Sequence, residues 1–190
     1  QEAVLVDLPG AYSLRPYTED EAVLAKALKE HHFDAWLVVV DATQPERAIR
    51  FLLEVINSTT TPIVVALNMT DLAKKQGFEI DLKRLSSVLG VPVVATVATR
   101  KTGLVELKLE LKAAIKSQRR EKGAFFKDFN FDAPTQLVTQ QILEFYKKAD
   151  EVLKKVLKKQ GAPDGLTERI DRIVLHPVWG VFILVLVLGL

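Results

Sequence analysis

The chain has 190 residues, 48% of them hydrophobic, with a formal net charge of +2 and no cysteine. That length accommodates one α/β domain with a real core plus a smaller appendage. The near-neutral charge argues against a nucleic-acid partner, and the lack of thiols excludes disulfides and thiolate metal sites while fitting a reducing compartment.

The first apolar run, Ala3–Val6, reads as a buried strand ending on Asp7, with Pro9 and Gly10 in the turn beyond it. Ala11 to Thr18 reads as a loop. Thr18 is a candidate N-cap for a helix through Leu24, Ala27 and Leu28, with Glu19, Asp20 and Glu21 at its positive end. Trp36–Val40 is a second buried strand, ending on Asp41. Pro45 opens a helix whose apolar face is Ile49, Leu52, Leu53 and Ile56. Ile63–Leu67 is the third strand, ending on Asn68. Asp81 caps a helix from Leu82 to Leu89 that Gly90 and Pro92 stop, and Val93–Thr96 is the fourth strand. Thr102-Gly103 opens a helix with Leu104, Leu107, Leu111 and Ile115 facing inward. Continuous apolar strands alternating with helices predict a parallel sheet covered on both faces.

Residues 118–165 read as a helical spacer. Its linker is basic and polar, and Phe125, Phe126, Phe129 and Phe131 follow as packing groups. A helix from Asp132 or Thr135 to about Gln160 carries a seam of Val138, Ile142, Phe145, Ala149, Val152 and Val156 that suits a partner helix. The lysines at 147, 148, 154, 155, 158 and 159 read as its solvated face. Residues 166–190 read as a membrane-entry segment and the start of a transmembrane helix, since Val178 to Leu190 carries no charge. A spanning helix needs about 20 such residues. The opening at Gln1 and the close inside an apolar run predict a piece of a longer protein, with Arg169, Arg172 and the upstream lysines on the cytoplasmic side.

In a parallel sheet, ligands bind beyond the carboxyl ends of the strands. Asp7, Asp41, Asn68 and Val97–Arg100 fall there. Asp7 could hold a Mg²⁺ through water while the Gly10 N–H approaches a terminal phosphate, although DxxG alone is equally a strand end and a turn. Asn68-Met69-Thr70-Asp71 supplies an amide for the purine edge and a carboxylate that accepts from guanine N1–H and its exocyclic amine, a pairing adenine cannot make. An isolated Asn and Asp in a turn are usually local caps. In this order after DxxG, the guanine reading is favoured. At Val97-Ala98 the Ala98 N–H would meet guanine O6, but the serine expected at position 97 is valine, which removes its loop support. Asp41 reads as a cap for the helix near Pro45 rather than a phosphoacceptor, and His31 and His32 as surface residues.

Asp-Leu-Pro-Gly-Ala-Tyr-Ser-Leu at 7–14, Val-Val-Asp-Ala-Thr at 39–43, Met69 within Asn68–Asp71, Leu-Gly-Val-Pro-Val-Val at 89–94, Ala149–Leu153 and Leu166–Pro177 together resemble FeoB, the bacterial ferrous-iron transporter family with an N-terminal G domain. The resemblance implies a P-loop-NTPase-like, Ras-like α/β fold, truncated at its N-terminus, over residues 1–117. It implies GTP or GDP with Mg²⁺ as cofactors, K⁺ as a further candidate, and nucleotide state regulating Fe²⁺ uptake across a bacterial inner membrane. Small accessory proteins and self-association are its implied partners, beside the lipid membrane. The nucleotide contacts expected are Asp7, Gly10, Asn68, Met69, Asp71, Val97 and Ala98, with Ala11, Tyr12, Ser13 and Leu14 as the moving switch.

No GxxxxGK[ST] loop occurs in the chain, so the phosphate cradle and the switch threonine are expected before residue 1, and the chain as given is expected to bind GTP poorly or not at all and to be inactive as a GTPase. Ala11 stands where Ras-like proteins place a water-orienting glutamine, which predicts slow hydrolysis. Two other readings stay open at this point: a soluble GTPase of the ribosome or tRNA-modification type, and a degenerate G domain acting as a scaffold.

Overall fold

The computed structural model describes residues 4–11, 13–14, 23–24, 26–28, 33–117 and 135–159, with the side chains of 135–143 and 159 left aside. Its centre is a parallel sheet of β1 (Trp36–Asp41), β2 (Ile63–Asn68) and β4 (Val93–Ala95), in the order β1-β2-β4. The register sets Asp41 opposite Asn68 and Leu67 opposite Ala95, so the polar strand ends lie along one edge. The central strand β2 is buried on both faces. Its alternate residues divide the core: Ile63, Val65 and Leu67 face the larger cluster, Val64 and Ala66 the smaller.

On the larger face lie α1 (Pro45–Ser58) and α3 (Leu82–Leu89), together with Leu24, Ala27 and Leu28 from a helical stretch. Ile49, Leu52, Leu53 and Ile56 are all at most 2% exposed, the apolar face their spacing predicts. On the other face α4 (Leu104–Lys116) covers Val64, Ala66 and Val94 through Leu104, Leu107, Leu111 and Ala114. Ile115, expected to face inward, is 46% exposed. Ala114, one turn beyond Leu111, meets the sheet instead, because the stripe drifts around the helix over three turns.

Of the expected strand at Ala3–Val6, the described Val4–Val6 have no regular structure, and Val4 and Leu5 are 93% and 84% exposed. An apolar run marks residues that gain by burial, but a strand needs a neighbour's hydrogen-bonding edge. Among the described residues Val4–Val6 pair with no strand, and the outer edges of β1 and β4 stay open. Thr18–Asp20, His31 and His32 lie outside the described residues, as do the phenylalanines at 125–131 and everything from 160 to 190. Among the described residues no helix is long and apolar enough to cross a membrane.

The long helix α5 (Thr135–Val156) packs its seam onto the larger cluster, burying Phe145, Ala149, Val152 and Val156 against α1 and α3. Val138 and Ile142 fall among the side chains left aside. The helix stops at Val156 rather than continuing to Gln160. Leu157–Lys159 forms β5, antiparallel to β3 (Phe78–Ile80), a two-stranded ribbon that periodicity did not predict. Val156 closes the seam fully buried, and after it Leu157–Lys159 take their backbone partners from Phe78–Ile80. The Asp81 N–H donates to the Val156 carbonyl at 2.9 Å, and Lys158 Nζ lies 3.6 Å from Asp81 Oδ2, fixing the ribbon to the start of α3.

Candidate functional site

The carboxyl edge of the sheet gathers two loops into one constellation. Asn68 ends β2, and its Oδ1 accepts hydrogen bonds from the Ala98 N–H at 3.1 Å and the Thr96 hydroxyl at 3.2 Å. The Thr96 N–H donates to the Leu67 carbonyl, continuing the ladder one residue past β4. Thr70 Oγ1 donates to the Thr96 carbonyl at 3.4 Å. The two loops are therefore stitched by Asn68, Thr70 and Thr96. The support that a serine at position 97 would have given comes instead from Thr96, one residue earlier and 3% exposed. Sequence reasoning missed Thr96 because a β-branched residue at a strand end reads as strand; the only signal was a hydroxyl in an otherwise apolar run.

Val97 is buried and pairs with Thr102 across a tight loop through reciprocal N–H to carbonyl bonds of 3.2 Å. Inside it, Ala98–Arg100 form one 3₁₀ turn, leaving Ala98, Thr99 and Arg100 exposed. The loop returns to α4 at Gly103, whose φ is +79° and whose missing side chain matters, since a Cβ there would overlap the Ala95 carbonyl.

Met69 adopts the left-handed conformation at φ 60°, ψ 30° and is 42% exposed, which turns the chain sharply from β2 into α2 (Thr70–Lys75). Asp71 lies in the first turn of α2. Its Oδ2 stands 3.6 Å from an Arg100 Nη, so the carboxylate expected to read guanine has a counter-ion from the neighbouring loop. Arg100 was not singled out from the sequence. Asp41, at the matching end of β1, does not cap α1: its Oδ1 accepts from the Thr43 N–H at 2.8 Å and the Thr43 hydroxyl at 2.7 Å, closing a turn of its own. The N-cap is Gln44, without a side-chain bond, because Thr43 lies within reach two residues on and the turn brings it there first.

Asp7–Gly10 run without regular structure. Asp7, Pro9 and Gly10 are exposed, while Leu8 and Ala11 pack against the larger cluster. A Cβ added at Gly10 would meet no atom within 4 Å, so the backbone there is open to an approaching group. Ser13 and Leu14 are held from α1: Glu54 Oε2 accepts from the Ser13 hydroxyl at 3.0 Å and from the Leu14 N–H at 2.7 Å. Tyr12 lies outside the described residues. Among those that are described, no group of three or more His, Cys, Asp and Glu could hold a metal. A Mg²⁺ at Asp7 would take most of its ligands from water and phosphate, as that ion commonly does, and would neutralise phosphate charge.

Residues 1–111 match the family model described as ferrous iron transport protein B. The chain belongs to the FeoB family. It is 32% identical over 186 residues to the Fe(2+) transporter FeoB of Helicobacter pylori (strain J99), covering 96% of this chain and 28% of that protein. To the Fe(2+) transporter FeoB of Campylobacter jejuni it is 30% identical over 179 residues, covering 94% and 28%. The chain thus spans about 28% of the length of these relatives. Among solved structures it resembles the cytosolic domain of L. pneumophila FeoB (TM-score 0.70, 23% identity, 80% of this chain and 79% of that one). It also resembles the T. maritima FeoB cytosolic domain in its GMPPNP form (TM-score 0.67, 22% identity, 80% of each chain). The FeoB G domain of Methanococcus jannaschii is 38% identical over 59% of this chain and 71% of that one, at TM-score 0.55. The fold is therefore that of the FeoB G domain, a GTPase fold, and the match favours this family over a soluble GTPase of the ribosome or tRNA-modification type.

Proposed function

We propose that this chain is the cytoplasmic guanine-nucleotide-binding portion of a membrane ferrous-iron transporter, in which nucleotide state regulates Fe²⁺ uptake. The observation that carries the reading is the Asn68 knot: one side-chain oxygen holding Ala98 and Thr96, with Asp71 beside it at the same sheet edge. Such an arrangement preorganises two loops before any ligand arrives, so less ordering is needed on binding. Asp71 supplies the acceptor pair for guanine N1–H and the exocyclic amine, Arg100 moving aside as the base enters. The Ala98 N–H turns from Asn68 toward O6, or is shared with it. Met69, exposed and apolar, lies against the purine face. Val97 anchors the loop by its burial and does not itself meet the base.

Asp7 and Gly10 face Mg²⁺ and the terminal phosphate, and Ala11–Leu14 respond to the loss of that phosphate. With Ala11 in place of a water-orienting side chain, hydrolysis is slow. Domains at 1–117, 118–165 and 166–190, K⁺, small accessory partners and self-association belong to the same proposal.

The decisive experiment is nucleotide competition on the intact protein. The wild type is expected to prefer GTP over ATP, and Asp71→Asn to lose most of that preference, because the amide cannot accept two hydrogen bonds from the guanine edge as the carboxylate does. Undiminished selectivity in Asp71→Asn overturns the guanine assignment.

A further inference from the structure

The backbone is pinned on both sides of the Asp71–Arg100 pair. Thr70, next to Asp71, donates its hydroxyl to the Thr96 carbonyl at 3.4 Å, and Asn68 Oδ1 holds the Ala98 N–H at 3.1 Å. Arg100 ends the 3₁₀ turn, its own N–H donating to the Val97 carbonyl at 3.0 Å, and the Val97–Thr102 bridge shuts the loop behind it. With both ends held, rotation of side chains is what opens or closes the pair. The two side chains are unequal, that of Arg100 being 66% exposed and that of Asp71 25%. Arg100 Nη2 stands 3.6 Å from Asp71 Oδ2, near enough for Coulomb attraction and too far for a direct hydrogen bond. The guanidinium can therefore swing into water at small cost, while the carboxylate keeps its place.

We propose that Arg100 is an internal competitor for the guanine edge: it occupies the base-reading carboxylate of the empty site and so sets how strongly guanine is preferred over adenine. This role rests on the guanine reading above and adds a second determinant of its specificity. Asp71 reads guanine with both carboxylate oxygens, one for N1–H and one for the exocyclic amine. A cation held at Oδ2 takes up one of the two, so each guanine bound means one ion pair broken. Adenine presents no such pair of donors and leaves the ion pair as it is. The competition therefore falls on guanine alone, and Arg100 narrows the preference that Asp71 creates. In the empty site the same contact gives a partly covered carboxylate a counter-ion, which eases its desolvation.

Dissociation constants for GDP and ADP on the intact protein, wild type and Arg100→Gln, test the competition. Given what exposed ion pairs contribute, freeing the carboxylate is expected to tighten GDP about two- to sixfold at low salt. ADP is expected to keep its wild-type affinity or to weaken, because removing a positive charge disfavours a phosphate anion. The preference for guanine thus widens. At about 1 M salt, where the screening length is about 3 Å, the gain for GDP is expected to shrink toward none. In Asp71→Asn, which has no carboxylate for Arg100 to hold, adding Arg100→Gln is expected to give no gain for GDP.

GDP binding that is unchanged or weaker in Arg100→Gln, beside a wild type that prefers guanine, overturns the competition and leaves the guanine site standing. Equal tightening of GDP and ADP overturns it as well, since an effect common to both bases does not act through Asp71. A gain that survives in the Asp71→Asn background places the effect of Arg100 elsewhere and overturns the pairing. A wild type that binds GDP and ADP alike, or neither, overturns the guanine reading and the competition with it.

Discussion

Gly103 is the residue on which the loop closed by Val97 and Thr102 returns to α4. A left-handed φ already disfavours a side chain by about 1–2 kcal/mol, and a Cβ would also overlap the Ala95 carbonyl and stand 3.2 Å from Thr96 Cγ2. Gly103→Ala is expected to lower stability by more than about 2 kcal/mol, read from urea unfolding, and to disturb the Thr96 and Ala98 bonds to Asn68. Asp81 gives a second prediction at this scale. The Arg84 N–H bonded to its carboxylate, with Lys158 nearby, holds its pKa below the ordinary 3.8, outweighing a small opposing effect of burial. A carboxyl lowered on folding contributes stability above its unfolded value and loses it as pH falls through the folded one. Asp81→Ala is therefore expected to melt lower than the wild type near neutral pH, with a gap that narrows once pH drops below 3.8 toward the lowered value. Asp81 was legible in the sequence as a cap because a cap is local chemistry. Thr96, Arg100 and Glu54 were not, since each gains its role from a partner distant in the chain or on another loop.

At the scale of elements, α5 is the instructive case. Its apolar seam was readable from spacing, and a narrow seam predicts a partner helix without naming it. The structure supplies α1 and α3. Phe145, 1% exposed, is the largest of its fully buried side chains. Phe145→Ala is expected to destabilise the protein by about 3–5 kcal/mol, with the range set by how far the site collapses. The unfolding midpoint in urea reads it. The β3–β5 ribbon escaped prediction because each strand has three residues, too few for a period to show, and one follows a long helix whose pattern runs into it. The missing strand at Val4–Val6 is the reverse error. There the apolar pattern was present and the pairing was not.

For the molecule as a whole, the sheet and α5 share one core. A chain ending at residue 117 would bare Ile49, Leu52, Leu53 and Leu85, now at most 2% exposed. Such a chain is expected to unfold at lower urea than the full 190 residues and to bind more of a hydrophobic dye. Equal midpoints would show that α5 docks without adding stability.

What the sequence determined by itself is the set of local facts: three core strands of the parallel sheet, the helices that cover it, the Asp81 cap, and the order of DxxG before NxxD that points to guanine. Each follows from side-chain period or from chemistry within a few residues, and both are written along the chain. Only the tertiary structure decided which groups meet: Asn68 with Ala98 and Thr96, Asp71 with Arg100, Glu54 with Ser13 and Leu14, and the face of α1 that receives α5. Those pairings join residues that are distant in the chain or on separate loops. No periodicity records which donor will arrive at which acceptor once the sheet has formed.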